Sequence, residues 1–296
     1  MDNFEEISME ELLGIVIKYK TLLLKVIVAS FSLSIVIALS LQNYYMSSAV
    51  LMIQDESENQ GLLSQYSGLA SIAGIKIGGE ASRSQQVIAM IKSRDFFNHL
   101  ITFEDVLPSI MAPGSYDPKT KQLSYNSRKY DEEKNQWLTD GRVPPNYLKA
   151  HRVYLSTMLN VYEDKRSGFV VLEIEHLSPV FAQQLLNIII REVNSILRDQ
   201  DLEKAEKALN FLQKELTSTS LLEIREAIHN LTQAKIETQM IAKIDEDYVL
   251  KKIEPPYIPD IKSRPSRSLI VILGTAIGTI FGLIFILINH YRKREI

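Results

Sequence analysis

Two apolar runs stand out from the polar background, one near each end of the chain. The first is Leu22 to Leu41, LLLKVIVASFSLSIVIALSL, and the second follows Arg267 as SLIVILGTAIGTIFGLIFILI. Each is roughly 20 residues long, the length at which a helix crosses a bilayer. The only charge in the first run is Lys25, close enough to its start for the lysine stem to reach the headgroups. Inside the second run Gly274, Gly278 and Gly282 recur every fourth residue. That interval lines three backbone-thin positions along one helix face, where another helix can approach closely. A proline-rich leash carrying Pro255, Pro256, Pro259 and Pro265 leads into this run.

Between the runs the periodicity changes several times. Tyr44 to Gln54, YYMSSAVLMIQ, is rich in β-branched and aromatic residues and predicts a strand. Residues 55–81 read as loop. Their core, GLLSQYSGLASIAGIKIGG, is compatible with a buried loop, a short helix or a subunit contact, and it lacks the spacing of a phosphate-binding loop. Ser82 to Ile101 predicts one helix, with Val87, Ile88, Ile91, Phe96 and Phe97 on its apolar face. From Thr102 to Pro145, five prolines among charged residues and tyrosines predict an irregular loop. Its Trp137 and Tyr130 either stack on sugar rings or pin the loop to the domain, and the second reading is favoured. Tyr147 to Leu159 predicts a helix, and Val161–Asp164 with Gly168–His176 predicts two strands joined by a turn at Lys165–Gly168.

Ser178-Pro179 is a helix start, a hydroxyl at the cap and proline at the first helical position. No breaker follows until about Thr217. The apolar stripe runs Leu185, Ile189, Val193, Ile196, then Leu202, Ala205, Leu209, Leu212 and Leu216. Glu203 and Lys207 have the spacing of an exposed helical ion pair. A second helix begins near Ser220, with Glu223 completing a capping box and Ile224, Ile228, Leu231, Ile241 and Ile244 along one side. The two helices either fold as a hairpin or continue with a bend. Tyr248 to Ile253 predicts a final strand, well placed to pair with the first.

Charge decides the topology. Lys18, Lys20 and Lys25 flank the first run, and Arg292, Lys293 and Arg294 follow the second. Short basic flanks stay in the cytoplasm, whereas a long loop translocates regardless of its charge. The basic Lys262, Arg264 and Arg267 oppose this assignment, but the two tails agree. The expected division is a cytoplasmic tail 1–21, a span 22–42, an outer domain 43–267, a span 268–289 and a cytoplasmic tail 290–296. A cleaved signal peptide ending at Ala38-Leu39-Ser40 is the alternative for the first run. The long acidic leader with Glu5, Glu6, Glu10 and Glu11 favours an uncleaved span, as does a capping box at Ser8 from which a helix runs into it.

Composition removes several chemistries. The 296 residues carry a net charge of −3, so no basic face for nucleic acid is expected. There is no cysteine, which excludes disulfides and thiolate metal sites. The five histidines are scattered without ligand spacing, so no metal is expected, and no cofactor motif is present. The acidic triplet Asp245-Glu246-Asp247 reads as a solvated helix end, and no catalytic constellation is recognisable.

The order of these features resembles the Wzz chain-length determinants, the polysaccharide co-polymerases of bacterial inner membranes. The resemblance is carried by the short tail and first span, the strand from Tyr44, the long helix from Pro179, the YVLKKIEPP strand and the glycine-spaced second span. The family's proline motif runs roughly P-x2-P-x4-S-P-K. Pro256, Pro259 and Pro265 match its prolines, whereas Arg264 stands in place of serine and Ser266 in place of lysine. Residues 102–145 look like an insertion of this chain's own. With no phosphate loop and only a short stretch after the second span, the chain resembles the kinase-free members, associated with O-antigen or enterobacterial common antigen.

The resemblance implies an α+β fold, with two transmembrane helices flanking a periplasmic α/β base and a long protruding helical segment. It also implies an inner-membrane, multi-pass protein forming a ring or bell-shaped homo-oligomer. Its partners would be a polysaccharide polymerase in the membrane, the growing glycan chain and the lipid bilayer, with no enzymatic activity of its own. Gly274, Gly278 and Gly282 would pack against the chain's own first span, a neighbouring subunit or the polymerase. The rival readings are a structural adaptor of an export machine and a membrane-anchored glycan hydrolase, the latter needing paired carboxylates or a nucleophile with its base. A two-span sensor is a further rival and would need a cytoplasmic output domain.

Overall fold

The computed structural model describes residues 14–15, 17–54, 82–138, 145–218, 222–244 and 247–294. The expectations for Ser8, for the glycine-rich run within 55–81, for the cap at Ser220 and for Asp245-Glu246 lie outside the described residues. The chain is a mixture of helix and strand and divides into two compact units. One comprises Met1–Tyr44 with Lys262–Ile296, and the other Tyr45–Ile261.

The second unit is built on an antiparallel sheet. Strand β1 (Tyr44–Ile53) lies between β7 (Val170–His176) and β8 (Leu250–Glu254), and β6 (Leu159–Glu163) pairs with the far side of β7. In the β1–β7 register Tyr45 faces His176 and Leu51 faces Val170. The β1–β8 ladder carries a bulge between Val50 and Leu51. The strand period of two sorts the side chains. Ser47, Ala49 and Leu51 of β1 and Val170, Leu172, Ile174 and His176 of β7 are all buried. Gly168, in the β6–β7 turn, has φ +74, a conformation that favours glycine over residues with a Cβ.

The core is closed by the inner half of a 40-residue helix, α6 (Pro179–Ser218). It starts as the sequence predicts, with the Phe181 amide donating to the Ser178 hydroxyl at 3.2 Å. Leu185, Leu186, Ile189, Ile190 and Val193 are fully buried there. The outer half packs against α7 (Leu222–Ile244), so the pair is a hairpin rather than a bent rod. Its buried positions are Ala205, Ala208 and Leu212 on α6, with Ala227, Ile228 and Leu231 on α7. The expected stripe is therefore shifted: Leu209 and Leu216 are only half-buried, and Ile244 is 77% exposed. The Glu203–Lys207 ion pair forms on the outer surface at 2.5 Å.

Three predictions fail locally. The helix expected over 82–101 is two helices, α2 (Arg83–Lys92) and α3 (Arg94–Leu100). Ser93 sits between them in an extended conformation, φ −70 and ψ 155, and its hydroxyl caps α3 by accepting from the Phe96 amide at 3.1 Å. A serine that satisfies a helix start competes with helix continuation. Nor is 102–145 an irregular loop. It contains α4 (Val106–Met111) and two hairpins, β2 (Pro113–Asp117) with β3 (Gln122–Tyr125) and β4 (Tyr130–Asp131) with β5 (Gln136–Trp137). Pro108 is tolerated near the start of α4, where a missing N–H costs no intrahelical bond, and Pro113 opens a strand. The helix expected over 147–159 is also shorter. An α-helix, α5 (Tyr147–Val153), gives way to a π-turn at Tyr154–Met158, and β6 begins at Leu159.

The free side of β8 is secured by one polar side chain on α6. Asn194 is buried, and its Oδ1 accepts from the amides of Val249 at 2.9 Å and Leu250 at 2.7 Å. Its Nδ2 donates to the Leu250 carbonyl at 3.2 Å. Replacing Asn194 by leucine strands three buried backbone groups, each costing about 1–3 kcal/mol. Asn194→Leu is therefore expected to lower unfolding stability by about 3 kcal/mol or more, read as a shifted denaturation midpoint of the purified protein.

Candidate functional site

Two helices are long and apolar enough to cross a membrane: α1 (Lys20–Ser40) and α8 (Arg267–Arg294). Both belong to the first unit and pack along each other. The three glycines lie on their contact line. A Cβ built on Gly274 would run into the Ser34 hydroxyl, one on Gly278 into that of Ser30, and one on Gly282 would lie 2.7 Å from Val26. Each step of four up α8 is thus matched by a step of four down α1, the signature of antiparallel helices meeting along one ridge. Of the partners expected for this face, the chain's own first helix lies against it.

A matching pattern lies on α1. Val26, Ser30 and Ser34 meet Gly282, Gly278 and Gly274 at the same interval of four, and Ala38 continues the row one step on. Ser34 and Ala38 are buried, and the Ser34 hydroxyl donates back to the Ser30 carbonyl at 2.7 Å, so it does not enter the contact as an unpaired donor. The outward faces are apolar. Leu33 and Val36 on α1 and Ile272, Phe281 and Ile288 on α8 are all more than half exposed, as suits hydrocarbon surroundings.

The proline segment is not a free leash. Pro256 and Pro259 are buried, Pro255 is exposed and Pro265 half-buried. Within the second unit the Pro256 carbonyl accepts from Gln183 Nε2 at 3.1 Å, and the Tyr257 carbonyl accepts from the Ser47 hydroxyl at 2.6 Å. Proline cannot offer an N–H to a ladder, but the carbonyls of this stretch still bind side chains on α6 and β1.

The titratable groups are tied into structure. His176, buried at the end of β7, donates from Nε2 to the Ser109 carbonyl at 3.0 Å and accepts at Nδ1 from the Ser178 amide at 3.1 Å. One ring nitrogen must donate and the other must accept, so the imidazole is neutral, and burial holds its pKa down at about 4. His99 pairs with Glu192 at 2.8 Å. Burial pushes the Glu192 carboxyl up, but the hydrogen bonds from His99 and Arg191 outweigh it and hold the group below its ordinary value. Burial raises the Tyr154 hydroxyl pKa, and that hydroxyl has no partner. Among the described residues, no group of three or more histidines and carboxylates is placed to hold a metal.

The aromatics Tyr130 and Trp137 do not present stacking faces. Tyr130 and Trp137 are 4% and 8% exposed and pack around Ala112, with their ring centroids 5.1 Å apart. They pack against Leu107 and Met111 of α4, which also touch the main core, so they hold this segment to the domain, which is the favoured of the two readings.

No family model matches the chain, and no curated protein matches it. Solved structures similar to it include a full-length bacterial polysaccharide co-polymerase, at 11% identity over 98% of this chain and 99% of that one, with a TM-score of 0.46. Another is a fragment of WzzB, a polysaccharide co-polymerase from Salmonella Typhimurium, at 14% identity over 75% of this chain and 100% of that one, TM-score 0.31. A third is a mutant of the Shigella flexneri lipopolysaccharide O-antigen chain-length regulator WzzBSF, at 10% identity over 74% and 100%, TM-score 0.26. These structures bear the name of the family that the sequence resembles.

Two outcomes follow from the geometry. Gly278→Leu is expected to separate α1 and α8 by roughly 2 Å or more, because an interface of larger side chains holds helix axes 8–10 Å apart. Spin labels on cysteines introduced at Leu24 and Ile284, in a chain that has none of its own, would read the change. For His176 the folded pKa of about 4 lies below the ordinary 6.5. Between those values the unfolded chain binds a proton that the folded chain refuses, so stability is full above pH 6.5 and falls as the pH drops towards 4. The expected loss is up to about 3 kcal/mol, seen by denaturation at pH 7 and pH 4.5, and His176→Gln should flatten that dependence.

Proposed function

We propose that this chain is an inner-membrane regulator of polysaccharide chain length, acting as an oligomeric scaffold for a separate polymerase and making no bonds itself. The observation that carries the reading is the order and pairing of its elements. A membrane-capable helix leads into β1, and β8 leads through the proline segment into a glycine-spaced second helix. The first and last strands of the enclosed unit, β1 and β8, are neighbours in one sheet. That unit also carries the long hairpin α6–α7. This order of elements supports the resemblance to the co-polymerases.

In this reading both tails are cytoplasmic, residues 43–267 lie in the periplasm, and the spans are 22–42 and 268–289. The basic flanks of the two helices support that orientation. Length control would come from how long the growing glycan stays engaged with the scaffold and the polymerase. Ile236, Met240 and Ile244, exposed along α7, offer apolar surface for a second copy of the chain. Gly274, Gly278 and Gly282 would act through the helix pair by keeping the two spans in close contact.

The test is the sugar ladder of the lipopolysaccharide. A strain lacking the gene is expected to lose its modal length, and restoring the gene should bring the mode back. Restoration with Gly274, Gly278 and Gly282 all changed to leucine should shift or broaden the distribution while the protein remains in the membrane fraction. A ladder indifferent to the gene would refute the proposal. Hydrolysis of purified polysaccharide by the purified protein would favour the glycan hydrolase instead.

A further inference from the structure

The chain enters the second unit at Tyr45 and leaves it at Ile261. Both points lie at one end of the sheet. Strand β8 runs antiparallel to β1 and stops opposite Val50, and beyond it the Tyr257 carbonyl accepts from Ser47, two residues past Tyr45. By chain length alone, Tyr45 stands no more than roughly 17 Å from Ser40, the last residue of α1. Ile261 precedes the first residue of α8 by only a few positions.

The β2–β3 hairpin is held at the same end. His176, opposite Tyr45 in the β1–β7 register, donates to the carbonyl of Ser109 in α4, the helix that leads into β2. The Tyr116 ring, next to the hairpin's tip, lies edge-on to the Tyr45 ring with centroids 6.0 Å apart. The tip itself is a braced turn. Asp117 Oδ1 accepts from the Lys119 amide at 2.9 Å, Asp117 Oδ2 from the Thr120 hydroxyl at 3.1 Å, and the Asp117 carbonyl from the Lys121 amide at 2.8 Å. Lys121 has φ 57, where a turn alone would favour glycine or asparagine. Lys119 and Lys121 are both exposed, and Asp117, which shapes the turn, is the one carboxylate in 113–125. Nearby on the exit segment, Tyr257 is 53% exposed and Ile261 82% exposed, with Asp260 between them. An aromatic ring and an aliphatic side chain bared just ahead of a membrane-capable helix suit the interfacial layer of a bilayer.

We propose that the β2–β3 tip is a foot on the membrane surface, with Lys119 and Lys121 meeting the phosphates of anionic phospholipids while Tyr257 and Ile261 enter the interfacial layer. Two ammonium groups on a rigid turn are drawn to a negatively charged surface, whereas a zwitterionic one offsets that attraction with its own cations. The contact would give the second unit a hold on the bilayer besides its two covalent tethers. The proposal rests on α1 and α8 lying in a bilayer, but not on any role in polysaccharide length.

The chain has no cysteine of its own, so single labels can be placed at will. The full chain carrying a fluorophore on Gln122→Cys, beside the tip, would be reconstituted into vesicles of phosphatidylcholine alone or mixed with phosphatidylglycerol. Lys207→Cys, exposed on the outer half of α6, is the control. Quenching by a nitroxide on the lipid headgroup is expected for Gln122→Cys and not for Lys207→Cys, and more strongly in the mixed vesicles. Lys119→Gln and Lys121→Gln are each expected to lower the ratio of docked to free tip about fivefold, the scale of one basic residue at an anionic surface. Both side chains are exposed, so neither change threatens the fold. A Gln122→Cys label quenched no more than the control would overturn the proposal, as would quenching indifferent to phosphatidylglycerol and to both lysines. Disulfide linkage of Gln122→Cys to a second copy would assign the tip to a subunit contact and equally overturn it. An undocked tip beside a sugar ladder that responds normally to the gene would sink this surface and leave the proposed function standing.

Discussion

The hydrogen-bonded sandwiching of β1 is the constraint on which the larger unit depends. This one strand, close behind the first helix, pairs on one side with residues more than a hundred positions away and on the other with residues about two hundred positions away. Together the two pairings make the surface that the inner half of α6 covers. Long-range antiparallel pairing of this kind is entropically expensive, since each closure orders a long intervening stretch. The compensation is a face of Leu51, Val170, Leu172 and Ile174, all wholly removed from water. Aliphatic side chains of that kind contribute about 1.5–3 kcal/mol each when fully buried. Asn194 then fixes β8 at a point where the ladder alone leaves backbone groups unmet.

The helix pair obeys a different logic. In a bilayer there is no hydrophobic drive to bring two apolar helices together, so close packing and backbone proximity must do it. Small residues on both faces, glycine opposite serine, are the means. The serines would be a liability in hydrocarbon if their hydroxyls were unpaired. Ser34 avoids this by bonding to its own helix, as do Ser32, Thr275 and Thr279. Polar side chains are thus present along both helices, and those four need no partner helix to satisfy them.

Much of this was legible in the chain because the signals are local. The start of α6 at Ser178-Pro179, the alternation in β7 and the glycine spacing each reflect one element's own period. What failed to show was set by tertiary context. Ser93 reads as an unremarkable helix residue until Phe96 and Phe97 must both turn inwards, and then it caps a new start. The prolines at 108 and 113 signal breaks but cannot say that a short helix and a hairpin lie between them. Asn194 looks like a polar interruption of an apolar stripe, and only β8 beside it gives it a purpose. The partner face on α1 was missed for another reason. Serine reads as polar rather than small, so the match to the glycines is hidden unless side-chain volume is read in place of hydropathy.

The α6–α7 hairpin is unequally built along its length. Near the sheet, α6 is anchored by leucines and isoleucines, whereas farther out its closest approach to α7 relies on Ala205, Ala208 and Ala227, with Leu212, Ile228 and Leu231 between. Alanine permits intimacy but removes little surface from water, so each outer turn is held by less free energy than each inner one. Thermal opening of the rod will therefore begin away from the sheet and run inwards, fraying turn by turn while the strands stay shut. A second chain laid along those outer turns would close them again, and the stiffness of the rod would then be a property of the pair more than of the single chain.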